Sequence, residues 1–101
     1  MAQTLHQILV HAVFHKHAHA VPVRSKDQQL LNKCVVKVCQ QLQCPCLIAN
    51  GVADHEHFLF VLSPKRAVAE VMKEVKRMSS LYLKYHDQAY YKHFCWQAGY
   101  G

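Results

Sequence analysis

Asp54-His55-Glu56-His57 stands at the mouth of an apolar run, Phe58-Leu59-Phe60-Val61-Leu62. In an extended strand side chains alternate between faces, so His55, His57, Leu59 and Val61 share one side while Glu56, Phe58, Phe60 and Leu62 share the other. Two imidazoles then point the same way at a fixed spacing. Neutral imidazole nitrogen ligates Mg, Mn or Zn, and a pair already held on a strand loses little freedom when an ion arrives. The chemistry in view is half a divalent-metal site. A lone His-x-His pair also occurs as two half-exposed histidines at a strand end, so the remaining sequence has to decide.

Three other groups bear chemistry. His15, His17 and His19 repeat at period two, an arrangement that in extended chain presents three imidazoles to metal or phosphate; a polar rim leading into a helix is the competing reading. Lys73, Lys76 and Arg77 recur at helical spacing beside Ser79 and Ser80, and cations flanked by hydroxyls suit phosphate oxygens. The same stripe also reads as a solvated face with local pairs such as Glu70 with Lys73 and Glu74 with Arg77. Cys44-Pro45-Cys46 has the elements of a metal clip, but structural zinc sites use wider cysteine spacing, and the following Leu47-Ile48-Ala49 reads as a strand entry.

The elements that must carry these residues follow from periodicity. Gln7 to Phe14 is an apolar run of strand length, expected to cross the middle of a sheet with His11 on it. Ser25-Lys26-Asp27-Gln28 fits a capping box that starts a helix, and Leu31, Cys34, Val35, Val38 and Leu42 form its buried stripe before Pro45 ends it. Cys46 to Val52 reads as a strand bent by Asn50-Gly51, followed by the His-Glu-His strand. Ser63-Pro64-Lys65 opens a second helix, buried through Val68, Val71, Met72, Val75, Met78 and Tyr82. After Tyr85-His86 a polar loop leads to a last strand at Lys92 to Ala98. Strand, helix, strand, strand, helix, strand is the α+β, ferredoxin-like split βαββαβ order, an antiparallel sheet with both helices on one face. The histidine pair then lies on the uncovered face with Leu59 and Val61, an apolar surface that invites another element or a second subunit.

Size and charge agree with one small domain spanning residues 1–101. The chain has 101 residues, 51% of them hydrophobic and 18% charged, and a formal charge of +6. That balance points to an anionic partner, nucleic acid before membrane. No apolar run approaches the ~20 residues of a membrane span, and Met1-Ala2-Gln3-Thr4-Leu5 lacks a signal core, so a cytosolic protein is expected. The five cysteines, Cys34, Cys39, Cys44, Cys46 and Cys95, are odd in number and sit in periodic apolar segments, which favours reduced thiols.

Taken together, Gly51-Val52-Ala53-Asp54-His55-Glu56-His57 with its apolar run, the helix segment Val75-Lys76-Arg77-Met78-Ser79-Ser80, and Phe94-Cys95-Trp96-Gln97-Ala98-Gly99-Tyr100-Gly101 resemble a family. It is that of the single-tyrosine HUH transposases of the smallest bacterial insertion sequences and their domesticated relatives associated with repetitive extragenic palindromes. The resemblance implies cleavage and rejoining of single-stranded or hairpin DNA by a homodimer. His55 and His57 would hold a divalent ion, Mg or Mn, and a tyrosine on a later helix would form a 5′-phosphotyrosine link. Lys73, Lys76, Arg77, Ser79, Ser80, His15 and Lys16 are the expected DNA-binding residues. Two departures stand out. Glu56 replaces the bulky apolar residue usual between the histidines, and is expected to reach solvent or the metal region. The family's tyrosine lies on a helix after the segment containing Tyr100, which commonly also supplies a third metal ligand, so the chain reads as a domain lacking its catalytic helix. No nucleophile is assigned to Tyr82, Tyr85, Tyr90, Tyr91 or Tyr100. The expectation is a transposase domain or its DNA-binding remnant; a small metal-binding protein using the histidines with Cys44 and Cys46, without DNA function, is the alternative.

Overall fold

The computed structural model describes residues 7–98. Strands β1 (Ile8–His15), β2 (Cys46–Val52) and β3 (His55–Leu62) form an antiparallel sheet in the order β1-β3-β2. Helices α1 (Gln28–Gln41) and α2 (Val68–His86) follow β1 and β3, and a short α3 (Gln88–Tyr91) closes the helix layer. Alternation along the strands sets the two faces. Ala12, Phe14, Glu56, Phe58 and Phe60 are buried toward the helices, whereas Leu9, His11 and His15 are exposed on the other side.

The α+β split arrangement holds, with the β-strand at its end reduced to a single bridge. Lys16 pairs with Trp96, through His17 N–H to the Cys95 carbonyl at 2.9 Å and Gln97 N–H to the His15 carbonyl at 2.7 Å. The segment expected as a strand over Lys92 to Ala98 is instead anchored by side chains. Phe94 is buried, and Trp96 meets Phe14 and Phe94 edge to face at 4.5 and 4.8 Å. Aromatic burial fixes the segment where a ladder does not. β3 rather than β1 is the central strand, so His11 lies on a flanking strand.

Several local expectations shift. Ser25–Asp27 forms a 3-10 turn and α1 begins at Gln28, without a side-chain cap, because the Asp27 carboxylate is turned inward. The helix ends in a 6→1 bond from Cys44 N–H to the Cys39 carbonyl, with Gln43 at φ 60°. This is a Schellman closure made without the usual glycine. The irregularity in β2 falls between Cys46 and Ile48, while Asn50 and Gly51 pair in register with His57 and Glu56. α2 starts at Val68; its buried line runs through Val71, Met72, Val75, Ser79 and Leu83, so Tyr82, expected inside, is 41% exposed. α3 replaces the expected loop after His86, capped by Asp87 Oδ1 accepting from Tyr90 N–H at 3.2 Å.

Candidate metal centre and nucleic-acid interface

The β2–β3 hairpin carries the histidine pair, and its tip is clamped from the side. The Asp54 carbonyl accepts from Lys16 N–H at 2.9 Å and the Ala53 carbonyl from Val23 N–H at 2.8 Å. His55 and His57 share the open face, their rings near parallel (25°) with centroids 6.1 Å apart. Asp54 Oδ1 lies 2.8 Å from His55 Nδ1, and this contact holds the Asp54 carboxyl below its usual range. A proton kept at Nδ1 leaves the Nε2 lone pair free, the orientation that carboxylates give to metal-ligating imidazoles. The register sets His15 opposite His55, rings 5.4 Å apart, and His11 stands 5.6 Å from His57. Among the described residues no three His, Cys, Asp or Glu side chains come close enough to hold an ion. A divalent ion at this pair would have two protein nitrogens and would take the rest of its shell from oxygen ligands such as water. His17 and His19 turn away with the loop after β1, where His19 N–H donates to His17 Nδ1 at 3.2 Å.

Glu56 reaches neither solvent nor this face. It is fully buried under the helices, neither carboxyl oxygen has a hydrogen-bond partner among the described residues, and burial pushes its pKa up to about 8. The pleat decides this: the residue between two outward histidines must point inward. Gly51 is its cross-strand neighbour, and a Cβ there would overlap the Glu56 carboxylate and lie 2.6 Å from the His55 carbonyl oxygen. Glycine is needed for close approach.

The basic face of α2 meets the C-terminal segment in a cleft of about 390 Å³, lined by Lys73, Lys76, Arg77, Ser80, Trp96 and Gln97 among others. Lys16, bridged to Trp96, connects it to the histidine end of β1. The structure thus brings Lys73, Lys76, Arg77 and Ser80 together but commits part of their capacity. Arg77 makes two bonds to Glu74 at 3.2 and 2.9 Å, and Lys76 Nζ donates to the Gln97 carbonyl at 2.7 Å. Ser79 is not available: it is buried, donates to the Lys76 carbonyl at 3.2 Å and accepts from Trp96 Nε1 at 3.0 Å. Sequence spacing places Ser79 beside the stripe; only the position of Trp96 turns it into a brace.

A sequence model of the family described as "Transposase IS200 like" matches residues 4–101. The chain belongs to this family. No curated protein matches it. A crystal structure described as a "putative transposase" from Deinococcus radiodurans superposes with a TM-score of 0.86, covering 100% of this chain and 81% of that one at 11% identity. At that identity the likeness is one of fold.

In this IS200-like transposase chain two of the described tyrosines, Tyr90 and Tyr91, tie the helix layer to the loop after β1. Tyr91 is buried and donates to Asp27 Oδ2; burial and that bond push its pKa up to about 12, the wrong direction for a nucleophile. Tyr90 donates to the Pro22 carbonyl at 2.8 Å. Tyr82 borders a groove between α1 and α2, and Tyr85 projects from the end of α2. Tyr100 lies outside the described residues. Sequence reasoning missed the cluster around Asp27. Besides Tyr91, this buried carboxylate faces Arg24 Nε at 3.0 Å and His86 Nε2 at 3.1 Å, and Arg24 Nη2 reaches Asp87 at 2.7 Å. Burial pushes the Asp27 carboxyl up, but donation from Tyr91 and Arg24 outweighs it and the net direction is down. A capping-box pattern concealed it; the scarcity of acidic residues, six in the chain, was the available signal. All five cysteines are free thiols, and among the described residues no helix is long and apolar enough to cross a membrane.

Proposed function

We propose that this IS200-like transposase chain binds single-stranded or hairpin DNA along the β1 edge and presents a phosphate to His55 and His57. The observation that carries this reading is the junction of the two halves. Lys16 bridges Trp96, so the C-terminal segment that lines the α2 cleft with Lys73, Lys76 and Arg77 runs beside the end of β1, where His15 faces His55 across the register. Cations in the cleft hold the backbone, and the imidazoles meet the next phosphate on the open face. Asp54 fixes the His55 ring. A divalent ion, Mg or Mn, held by His55 and His57 would withdraw charge from the scissile phosphate. Cleavage and rejoining through a 5′-phosphotyrosine is the reaction this centre fits. No nucleophile is assigned to Tyr82, Tyr85, Tyr90 or Tyr91; the hydroxyls of Tyr90 and Tyr91 are committed to the Pro22 carbonyl and Asp27. The apolar open face, with Leu9, Ile48 and Val52 more than half exposed, suits a homodimer.

The test is a gel shift with a strand that folds into an imperfect hairpin, against an unstructured strand of equal composition, at about 150 mM salt where nonspecific attraction is reduced. Hairpin preference weakened roughly tenfold by Lys73→Ala with Lys76→Ala is the expected result, each phosphate contact carrying part of the affinity. Equal, weak binding to both strands overturns the reading. Calorimetric titration with Mn²⁺ tests the centre separately: uptake should vanish in His55→Ala with His57→Ala.

A further inference from the structure

A second groove, of about 280 Å³, runs between α1 and α2 on the far side of the helix layer from the sheet's open face. Its floor is Cys34, Val38 and Met78, its wall Tyr82, and its rim Lys33 and Lys37. Burial pushes the Cys34 thiol up to about 11, so the floor is neutral. Among the described residues no carboxylate lines the groove and neither rim lysine takes part in an ion pair, whereas Arg77 and Arg66 on or beside α2 are bound to Glu74 and Glu70. Lys33 and Lys37 lie one helical turn apart and both are exposed. Tyr82 displays its ring at 41% exposure although its place in the apolar repeat should bury it.

We infer that this groove is a second DNA contact, in which one base of a single strand lies against Tyr82 and Met78 while Lys33 and Lys37 hold the adjoining phosphates. The proposal rests on the reading of the chain as a DNA-handling transposase and adds a site remote from the histidines. Volume and chemistry choose the occupant. The space suits a single nucleoside, being at the small end of ligand pockets. A planar apolar wall beside two cations matches base stacking joined to phosphate attraction, the sequence-tolerant way of holding single strands. An acidic peptide would use the lysines and leave the tyrosine wall empty.

The experiment uses the full chain and an oligothymidylate of about eight nucleotides carrying one 5-iododeoxyuridine, a length within the span of single-strand sites. Irradiation followed by peptide mapping should find the crosslink at Tyr82, in the wild type and equally in His55→Ala with His57→Ala. That arm separates the groove from the proposed centre: the groove can be lost while hairpin preference survives, and the reverse. Tyr82→Ala, and separately Lys33→Glu with Lys37→Glu, should each weaken oligothymidylate binding about tenfold, with the amide spectrum otherwise unchanged as evidence of folding. Inorganic phosphate and an oligoglutamate peptide serve as competitors. Crosslinks only at Trp96 or the open-face histidines, affinity unaltered in both variants, or competition by oligoglutamate as effective as by unlabelled oligothymidylate would each overturn the proposal.

Discussion

Among the described residues two carboxylates are buried, and they are treated oppositely. Asp27, between the loop after β1 and the end of α2, is 1% exposed and surrounded by Tyr91, Arg24 and His86, which satisfy it as a charge. Glu56, under the histidine strand, is 0% exposed and has no partner for either oxygen among the described residues. The first is a clasp: it joins the 3-10 turn to α2 and α3 across more than half the chain. The second is held neutral by an apolar shell, directly between the two histidines that define the candidate centre. A buried polar group without partners costs stability and persists where something other than stability retains it. The difference suggests that the helix end of the molecule is built for rigidity and the hairpin end tolerates cost for the sake of its site.

Substitution at Asp27 has the largest expected effect. Asp27→Asn removes the charge that Arg24 and Tyr91 address, and should cost about 3 kcal/mol in urea unfolding near neutral pH. Because the folded carboxyl titrates below its unfolded value, its stabilisation is present above about pH 4 and lost on acidification; the variant should show a flatter acid limb.

Glu56 carries the opposite sign. Its folded pKa, about 8 against 4.5, means that the unfolded chain ionises first, so stability falls as pH rises between those values. Glu56→Met should stabilise the protein by roughly 2 kcal/mol at pH 8 and less at pH 5, abolishing that slope. A slope unchanged by the substitution would place the titrating group elsewhere. The smallest effect belongs to the neighbour: Gly51→Ala should destabilise by about 1–2 kcal/mol through overlap with Glu56 and the His55 carbonyl. Glu56→Ala in the same chain should recover only part, since the backbone overlap remains, and the double-mutant cycle measures the shared portion.

Period-two alternation was enough to read off the strand that bears His55 and His57, their common face, and the placement of Phe58 and Phe60 inside, because the pleat leaves no other choice. The same alternation already pointed Glu56 inward; the expectation that it reaches solvent came from its charge, and the backbone overrode it. The basic stripe was legible as spacing, but its availability was not. Whether Arg77 faces DNA or Glu74, and whether Ser79 is a ligand or a brace for Trp96, depends on rotamers and on a segment distant in sequence. Tyr82 left the buried line because that line runs through Val75, Ser79 and Leu83, with Ser79 held by Trp96, and does not follow hydrophobicity alone.

What the sequence determined by itself is what local geometry enforces: the antiparallel α+β order, two amphipathic helices, the paired imidazoles, and an excess of positive charge. Tertiary structure alone decided the rest. It brought Trp96 against β1 in place of a fourth strand, gathered Asp27, Arg24, His86 and Tyr91 from distant positions into one clasp, and left Lys33 and Lys37 without acidic partners among the described residues while Arg77 found one. The physical reason is range. Periodicity is written into neighbouring residues, whereas the pairing of a buried charge is settled only when segments far apart in the chain compete for the same space.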